Sequence, residues 1–138
     1  MDYRRIDVSW IGPLWDLHKA YKKEIGEEAP DWKDRDRLRA AVEKGSILFF
    51  GAFDGTDLIG CCSVSVGFST FNYGPSGVFE DFYIRPEYRH RGFARRLVET
   101  ARKDSGVQSL TVCCADCDIP MYKALGFSLP LGSLLAFD

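Results

Sequence analysis

The chain has 138 residues, of which 46% are hydrophobic and 28% charged, and its formal net charge is -2. This composition is typical of a soluble globular protein, and the length favours one domain spanning residues 1–138. The slightly acidic charge argues against a nucleic-acid partner, and no apolar run is long enough to span a membrane. The N-terminal residues lack the apolar core of a signal peptide, and five cysteines are an odd number, so we expect a cytoplasmic protein without a disulfide framework.

Hydrophobic periodicity and turn residues predict the elements in the order β-α-α-β-β-β-α-β-α-β. The first half is predicted to contain strand 3–8, a helix from Ser9 to about Ile25, a helix that follows Asp31 and ends at Gly45, and strands 47–53 and 58–66 around an Asp54-Gly55 turn. The second half is predicted to contain a loop over 67–77, strand 78–84, helix 94–103, strand 109–114, a short helix over 119–125 and a terminal strand over 133–137. The pattern predicts an α/β (α+β) fold, with helices on the faces of a mixed central sheet.

The segment Arg89–Ala94, which reads Arg-His-Arg-Gly-Phe-Ala, joins the predicted strand 78–84 to the helix that follows. A helix N-terminus presents unpaired backbone N–H groups, and its dipole favours an anion. Gly92 lets the backbone approach such an anion closely, because it has no Cβ. The segment therefore predicts a phosphate or pyrophosphate site. The alternatives are a solvated basic helix start and a nucleic-acid patch.

Arg89, Gly92 and Ala94 fill the three positions of the pattern Gln/Arg-x-x-Gly-x-Gly/Ala, and the segment 119–127 contains Tyr-x-x-x-Gly-Phe. In this order and context, the two motifs resemble those of the GNAT superfamily of N-acetyltransferases. The resemblance covers nearly the whole chain. It implies the GNAT fold with a splayed strand pair, and an acyltransferase that moves the acetyl group of acetyl-CoA to a primary amine. We expect no metal, because Cys114 and Cys117 lack further ligands and the two histidines, His18 and His90, lie in unrelated contexts.

The resemblance also implies where acetyl-CoA binds. Backbone N–H groups around Arg91–Arg95 would hold its pyrophosphate, and the Arg89 and Arg91 side chains would add charge-assisted contacts. The backbone N–H near Phe82 would polarise the thioester carbonyl. The cofactor-binding residues carried over in this way are Phe82, Tyr83, Ile84, Arg89, His90, Arg91, Gly92, Phe93, Ala94 and Arg95.

Acetyl transfer requires a neutral amine, a stabilised tetrahedral intermediate and a protonated leaving thiolate. By the resemblance, Tyr122 occupies the position of the general acid and Glu80 is the candidate base. Successive strand residues face opposite sides, so only one of Glu80 and Asp81 is expected to point at a given pocket. The alternatives are a core tyrosine at position 122, and a Glu80 that only attracts a cation or has a structural role.

For the acceptor, Gly67–Phe71 and the Glu80-Asp81 pair are similar to segments of diamine and thialysine acetyltransferases. Carboxylates between the first two predicted helices, Glu28 among them, would concentrate a cationic acceptor. The resulting candidate substrate-binding residues are Glu28, Asp81 and Phe71, and the leading acceptor class is a small cationic amine such as a polyamine, an aminoglycoside or a lysine-like compound. A solvated acidic surface, acetylation of a protein or peptide amine, and a non-catalytic acetyl-CoA sensor are the alternatives.

The chain departs from the GNAT pattern in two places. Ala115–Asp118 stands where many members have an Asn-x-x-Ala segment, and the tail after Gly126 is short. Because many relatives dimerise, a homodimer is compatible with the resemblance. Cys114 and Cys117 form a single C-x-x-C, which suits a redox pair or half of a zinc site, but no further ligands are evident. A mixed disulfide with CoA is a minor hypothesis.

Overall fold

The computed structural model describes residues 1–138 and contains one five-stranded sheet in the order β1-β2-β3-β4-β5. The strands are β1 (Asp2–Ile6), β2 (Ile47–Asp54), β3 (Asp57–Ser69), β4 (Gly74–Ile84) and β5 (Ser109–Val112). The first four pair antiparallel, and β5 pairs with β4 in parallel. The sheet is therefore mixed, as the sequence predicts.

Four helices accompany the sheet: α1 (Ile11–Glu24), α2 (Trp32–Lys44), α3 (Phe93–Asp104) and α4 (Ile119–Ala124). Their ends follow the sequence signals. Asp31 caps α2 in a reciprocal capping box with Asp34, and Gly45 ends that helix at a φ of 79°. None of the helices has the length and apolar character that crossing a membrane requires.

Two hydrophobic clusters lie on opposite faces of the sheet, because successive strand residues alternate between faces. Phe49 faces α1 and α2, whereas Phe50 faces α3. Both are fully buried, and each such side chain contributes about 1.5–3 kcal/mol through removal from water. Helices thus cover both faces, and the edge of the sheet beyond β4 is left for the short strand β5.

Two sequence predictions about elements are wrong. The loop predicted over 67–77 is mostly strand, since β3 and β4 pair from Gly60↔Ile84 to Ser69↔Gly74 and leave only residues 70–73 as the turn. The terminal strand predicted over 133–137 does not form, and residues 125–138 contain no helix or strand. Residues 133–137 pair with no strand, and β5 is the last strand at that edge of the sheet.

Candidate functional site

The turn between β4 and α3 exposes the N-terminus of α3. Gly92 is the N-cap residue with a φ of 82°, and no side chain caps the helix. His90, two residues earlier, also has a positive φ, of 60°. No acidic residue lies in the first helical turn, so the free N–H groups meet no internal anion. This arrangement fits a pyrophosphate bound by backbone groups.

The arginines around this turn have different environments. The Arg89 guanidinium pairs with Glu24 at 2.7 Å, and Arg95 donates to the Ala124 carbonyl at 2.7 Å. Arg91 is exposed, makes no ion pair, donates a 3.4 Å hydrogen bond to the Glu87 carbonyl and lies 5.6 and 5.4 Å from the ring centroids of Tyr88 and Phe93. Of the two guanidinium groups predicted to contact phosphate, Arg91 is therefore the less engaged, and Arg89 is directed to α1.

Among the other residues predicted to bind the cofactor, some have buried side chains and others have partly or fully exposed ones. Tyr83 is buried on the α1 side of the sheet and Ile84 on the α3 side, so their side chains have no access to solvent ligands and only their backbone is available. Phe93 and Ala94 are half-buried at the start of α3, and His90 is exposed.

Between the end of their pairing and the β4–α3 turn, β4 and β5 separate. Their parallel pairing covers four residues and ends at Phe79↔Val112. The part of β4 that follows, including Phe82, has no strand partner on that side, so a notch opens between the two strands. The splayed strand pair implied by the sequence resemblance is therefore present.

Tyr122 of α4 lies at this notch. Its ring packs against Phe79, Phe82 and Phe127 with centroids 5.9–6.4 Å apart. Partial burial, with smaller contributions from Tyr21, Asp118 and Cys114, raises the pKa of Tyr122 to about 12. The phenol therefore keeps its proton at neutral pH, as a proton donor must.

A β-bulge places two carboxylates on one face of β4. Asp81 has a φ of 53°, and neither it nor Cys62 has a partner in the register, so the pairing of β3 with β4 shifts at this point. The Ser63 hydroxyl, which is fully buried, donates to Asp81 at 2.7 Å. Glu80 is paired with Ser63 in the register, and paired residues share a face. The prediction that only one of the two carboxylates faces a given pocket is wrong, because the bulge breaks the alternation.

Tyr21 on α1 is affected by these carboxylates. Partial burial first, and then the carboxylates of Asp81, Glu27 and Glu80, raise the pKa of Tyr21. Tyr21 also contributes to the raised pKa of Tyr122, because two phenolates would repel each other.

His18 lies one turn earlier on α1, stacked on Trp15 with ring centroids 5.7 Å apart. Burial lowers the pKa of His18, against the opposing effect of Asp81, so the imidazole is neutral at neutral pH. Neither His18 nor Tyr21 is predicted from the sequence, because the helical spacing of Tyr21 with Leu14 and Leu17 indicates only a core face. Ser63 is not predicted either, because a serine between strand hydrophobics carries no distinctive signal.

A cavity of about 650 Å³ opens between α1 and α2. Its lining residues are Trp15, His18, Lys22, Glu27, Glu28, Ala29, Pro30, Asp31, Asp34, Arg37 and Leu38. Lys22 pairs with Glu27 at 2.7 Å, and Arg37 with Asp34 at 3.8 Å. Glu28 and Asp31 have no cationic partner, so the lining carries excess negative charge.

Phe71 lies outside this arrangement. It is in the β3–β4 turn and is 98% exposed. Glu80 is six residues into β4, about 20 Å along the strand from its start. The structure therefore does not bring Phe71 together with the other predicted substrate-binding residues.

All five cysteines are free thiols. Partial desolvation, followed by the neighbouring acidic groups, raises the pKa of Cys114, which makes its thiol less reactive. No group of three or more His, Cys, Asp or Glu side chains is arranged to hold a metal ion.

The sequence profile of the acetyltransferase (GNAT) family matches residues 12–127, which include β4, β5, the turn between β4 and α3, and Tyr122. The chain belongs to the GNAT family. Members of this family use acetyl-CoA, and the uncapped α3 N-terminus together with the notch beside β4 fits that co-substrate. The predicted fold class and the acetyl-CoA-dependent, acyl-transferring class of enzyme are thereby confirmed at the level of the family.

Solved structures give the same fold. An aminoglycoside acetyltransferase from an uncultured soil metagenomic sample matches with a TM-score of 0.83 at 12% identity, over 99% of this chain and 94% of that one. A predicted acetyltransferase from Clostridium acetobutylicum, solved with acetyl-CoA, matches with a TM-score of 0.76 at 20% identity, over 99% and 95%. A GCN5-related N-acetyltransferase from Ralstonia eutropha matches with a TM-score of 0.79 at 17% identity, over 99% and 97%. Among curated protein sequences, none matches the chain.

Proposed function

We propose that this GNAT protein acetylates the primary amine of a small cationic molecule, such as a polyamine, an aminoglycoside or a lysine-like compound. The observation that carries the proposal is that the bulge places both Glu80 and Asp81 on the face of β4 that α1 covers, where these carboxylates and Glu27 raise the pKa of Tyr21. Glu27 also lines the cavity between α1 and α2, whose lining carries excess negative charge. Such a surface raises the local concentration of a cation and disfavours an anionic acceptor.

In this proposal Glu80 and Tyr122 have opposite roles. Acetyl-CoA supplies an activated thioester. Glu80, which is exposed on the α1 side of β4, accepts the proton of the amine directly or through a water molecule as the C–N bond forms. Tyr122 donates its proton to the sulfur as the C–S bond breaks. The phenol is protonated at neutral pH, so this proton is available for transfer.

Asp81 has a different environment, which supports a different role. Its carboxylate accepts a hydrogen bond from Ser63, so one of its oxygens is already engaged. We assign it to orienting the acceptor by its charge. Glu28, on the cavity wall and without a cationic partner, would bind a second positive group of the acceptor.

The nature of the acceptor has two further supports. One of the fold relatives is an aminoglycoside acetyltransferase, which was also solved with sisomicin. The Glu80-Asp81 pair resembles that of diamine acetyltransferases, although Phe71, the other part of that resemblance, is away from the site.

The test is an acceptor screen in which thiol release from acetyl-CoA is followed with polyamines, aminoglycosides, amino acids and peptides. We expect turnover with cationic small amines and its near-complete loss in Tyr122→Phe. Turnover with peptides alone would make a protein amine the acceptor. Tight CoA binding without turnover on any amine would contradict the enzyme assignment and support a sensor.

A further inference from the structure

One ion pair joins distant parts of the chain. Five of the six ion pairs connect residues no more than five positions apart. The sixth connects Arg89 Nη2 to Glu24 Oε1 at 2.7 Å. Glu24 is the last residue of α1, and Arg89 opens the turn that leads to α3. The pair therefore ties the acceptor side of the site to the cofactor side.

Arg89 is held in this orientation by two further contacts. Its Nε donates to the Ile84 carbonyl at 2.7 Å, and its guanidinium carbon lies 5.3 Å from the centroid of the Tyr83 ring. Tyr83 is buried in the cluster on the α1 side of the sheet. The guanidinium is thus fixed on the face of the sheet that α1 covers, and its fork is occupied by Glu24 and a backbone carbonyl.

Glu24 leads directly into the loop 25–31, which forms part of the cavity wall through Glu27, Glu28 and Asp31. The other contacts at the start of this loop go back to its own helix. Lys22 pairs with Glu27, and the backbone N–H of Glu27 donates to the Lys22 carbonyl at 3.0 Å. The packing of α1 on the sheet positions this end of the loop relative to β4, and the Glu24–Arg89 pair is the ion pair that links it to the β4–α3 turn.

We propose that Glu24 and Arg89 are positioning residues that hold the acceptor loop 25–31 against the cofactor-binding turn, and that the Arg89 side chain is not a phosphate ligand. The pair keeps the carboxylates of the cavity at a fixed distance from the reacting edge of β4. Its effect on acceptor binding rests on the proposed function, whereas its effect on the loop does not.

The first variant is Glu24→Gln, which removes the ion pair and leaves every charge of the cofactor turn in place. We expect the KM for the acceptor to rise about threefold to fivefold, in line with a partly exposed ion pair, while kcat and the Kd of CoA stay within twofold. Glu43→Gln is the matched control, because it breaks the pair with Arg39 on the exposed face of α2. That control is expected to change neither constant.

A double-mutant cycle with Arg89→Gln measures the coupling free energy between Glu24 and Arg89. The double variant Glu24→Gln/Arg89→Gln should have the same acceptor KM as Arg89→Gln alone, since either change breaks the same pair. Additive effects would overturn the proposal. So would a Glu24→Gln variant that binds CoA severalfold tighter with an unchanged acceptor KM, because Arg89 would then be a phosphate ligand that Glu24 restrains.

Hydrogen exchange separates this proposal from the proposed function. In Glu24→Gln, the amides of residues 25–31 should exchange about threefold to fivefold faster than in the parent protein, and those of α3 should not change. This readout needs no acceptor. If no amine is acetylated, the proposed function fails while faster exchange still supports the positioning role. Unchanged exchange in the loop would overturn that role whatever the activity.

Discussion

The proposed cofactor side and the proposed acceptor side of this site are built in different ways. The cofactor side is one continuous stretch, in which β4, a turn with two positive φ values and the uncapped N-terminus of α3 present backbone groups. The acceptor side combines side chains from α1, the loop 25–31 and the bulge in β4, which meet only in the folded chain. Backbone recognition leaves a short sequence motif, whereas a surface assembled from distant side chains leaves none. The donor is therefore readable from the sequence and the acceptor is not.

The largest expected effect comes from Tyr122, which lies where the two sides meet. Replacing it by Phe removes the proposed proton donor and keeps the aromatic packing with Phe79 and Phe82. We expect kcat to fall about 1,000-fold with little change in the Kd of CoA. Steady-state kinetics and calorimetry measure the two constants. Tyr73→Phe, at a position that is 77% exposed, is the control. A fall of less than tenfold would assign Tyr122 to packing.

The second prediction separates the two carboxylates of the bulge. Glu80→Gln should lower kcat/KM about 100-fold, because it removes the proposed base, whereas Asp81→Asn should lower it about tenfold, mainly through KM. Steady-state kinetics on the best acceptor measures both. If Asp81→Asn had the larger effect on kcat, the roles of the two residues would be reversed.

The third prediction concerns the cofactor side alone. An added Cβ at Gly92 meets no atom within 4 Å, so Gly92→Ala acts only through its φ of 82°. We expect a loss of about 1–2 kcal/mol of unfolding free energy. As the turn relaxes, we also expect the Kd of CoA to rise about tenfold, with the acceptor KM unchanged. Denaturant unfolding and calorimetry measure these quantities.

Gly67→Ala is the matched control for Gly92→Ala. A Cβ added at Gly67 also meets no atom within 4 Å, but the φ of Gly67 is not positive. This substitution should leave both stability and CoA binding nearly unchanged. Equal effects of the two substitutions would contradict a conformational role for Gly92.

The last prediction concerns stability at high pH. The pKa of Tyr122 is about 12 in the folded chain against an ordinary value of 10.0. Above pH 10.0 the unfolded chain loses this proton first, so the free energy of unfolding falls as the pH rises through 12. The Tyr122→Phe variant should show a shallower decline over that range in denaturant unfolding. Parallel curves for the two proteins would mean that the phenol is not desolvated.

The sequence predicts most of the fold because the residues that begin and end the helices act locally. Asp31, Gly45 and Gly92 act within one or two residues of the helix ends that they define. The errors arise where a long-range contact decides. The pairing of Ser69 with Gly74 extends the strands through residues that look like loop, and the unpaired tail has no neighbouring strand to join.

The same distinction applies to the site. The turn at Gly92 and the position of Tyr122 follow from motifs. The bulge at Asp81 follows from no motif, because the sequence Glu80-Asp81-Phe82 does not indicate a residue with a positive φ. The buried Ser63 hydroxyl that binds the Asp81 carboxylate belongs to another strand. The approach of Tyr21 to both carboxylates depends on how α1 packs on the sheet, which periodicity alone cannot specify.

The bulge also has a consequence for how this protein tolerates change. A non-glycine residue with a positive φ stores strain of about 1–3 kcal/mol, and Asp81 carries it in the middle of β4. Glycine would relieve that strain, but it would also leave the buried Ser63 hydroxyl without its acceptor, so the two effects on stability oppose each other. In the proposed role of Asp81, the strain is part of what holds its carboxylate toward the acceptor.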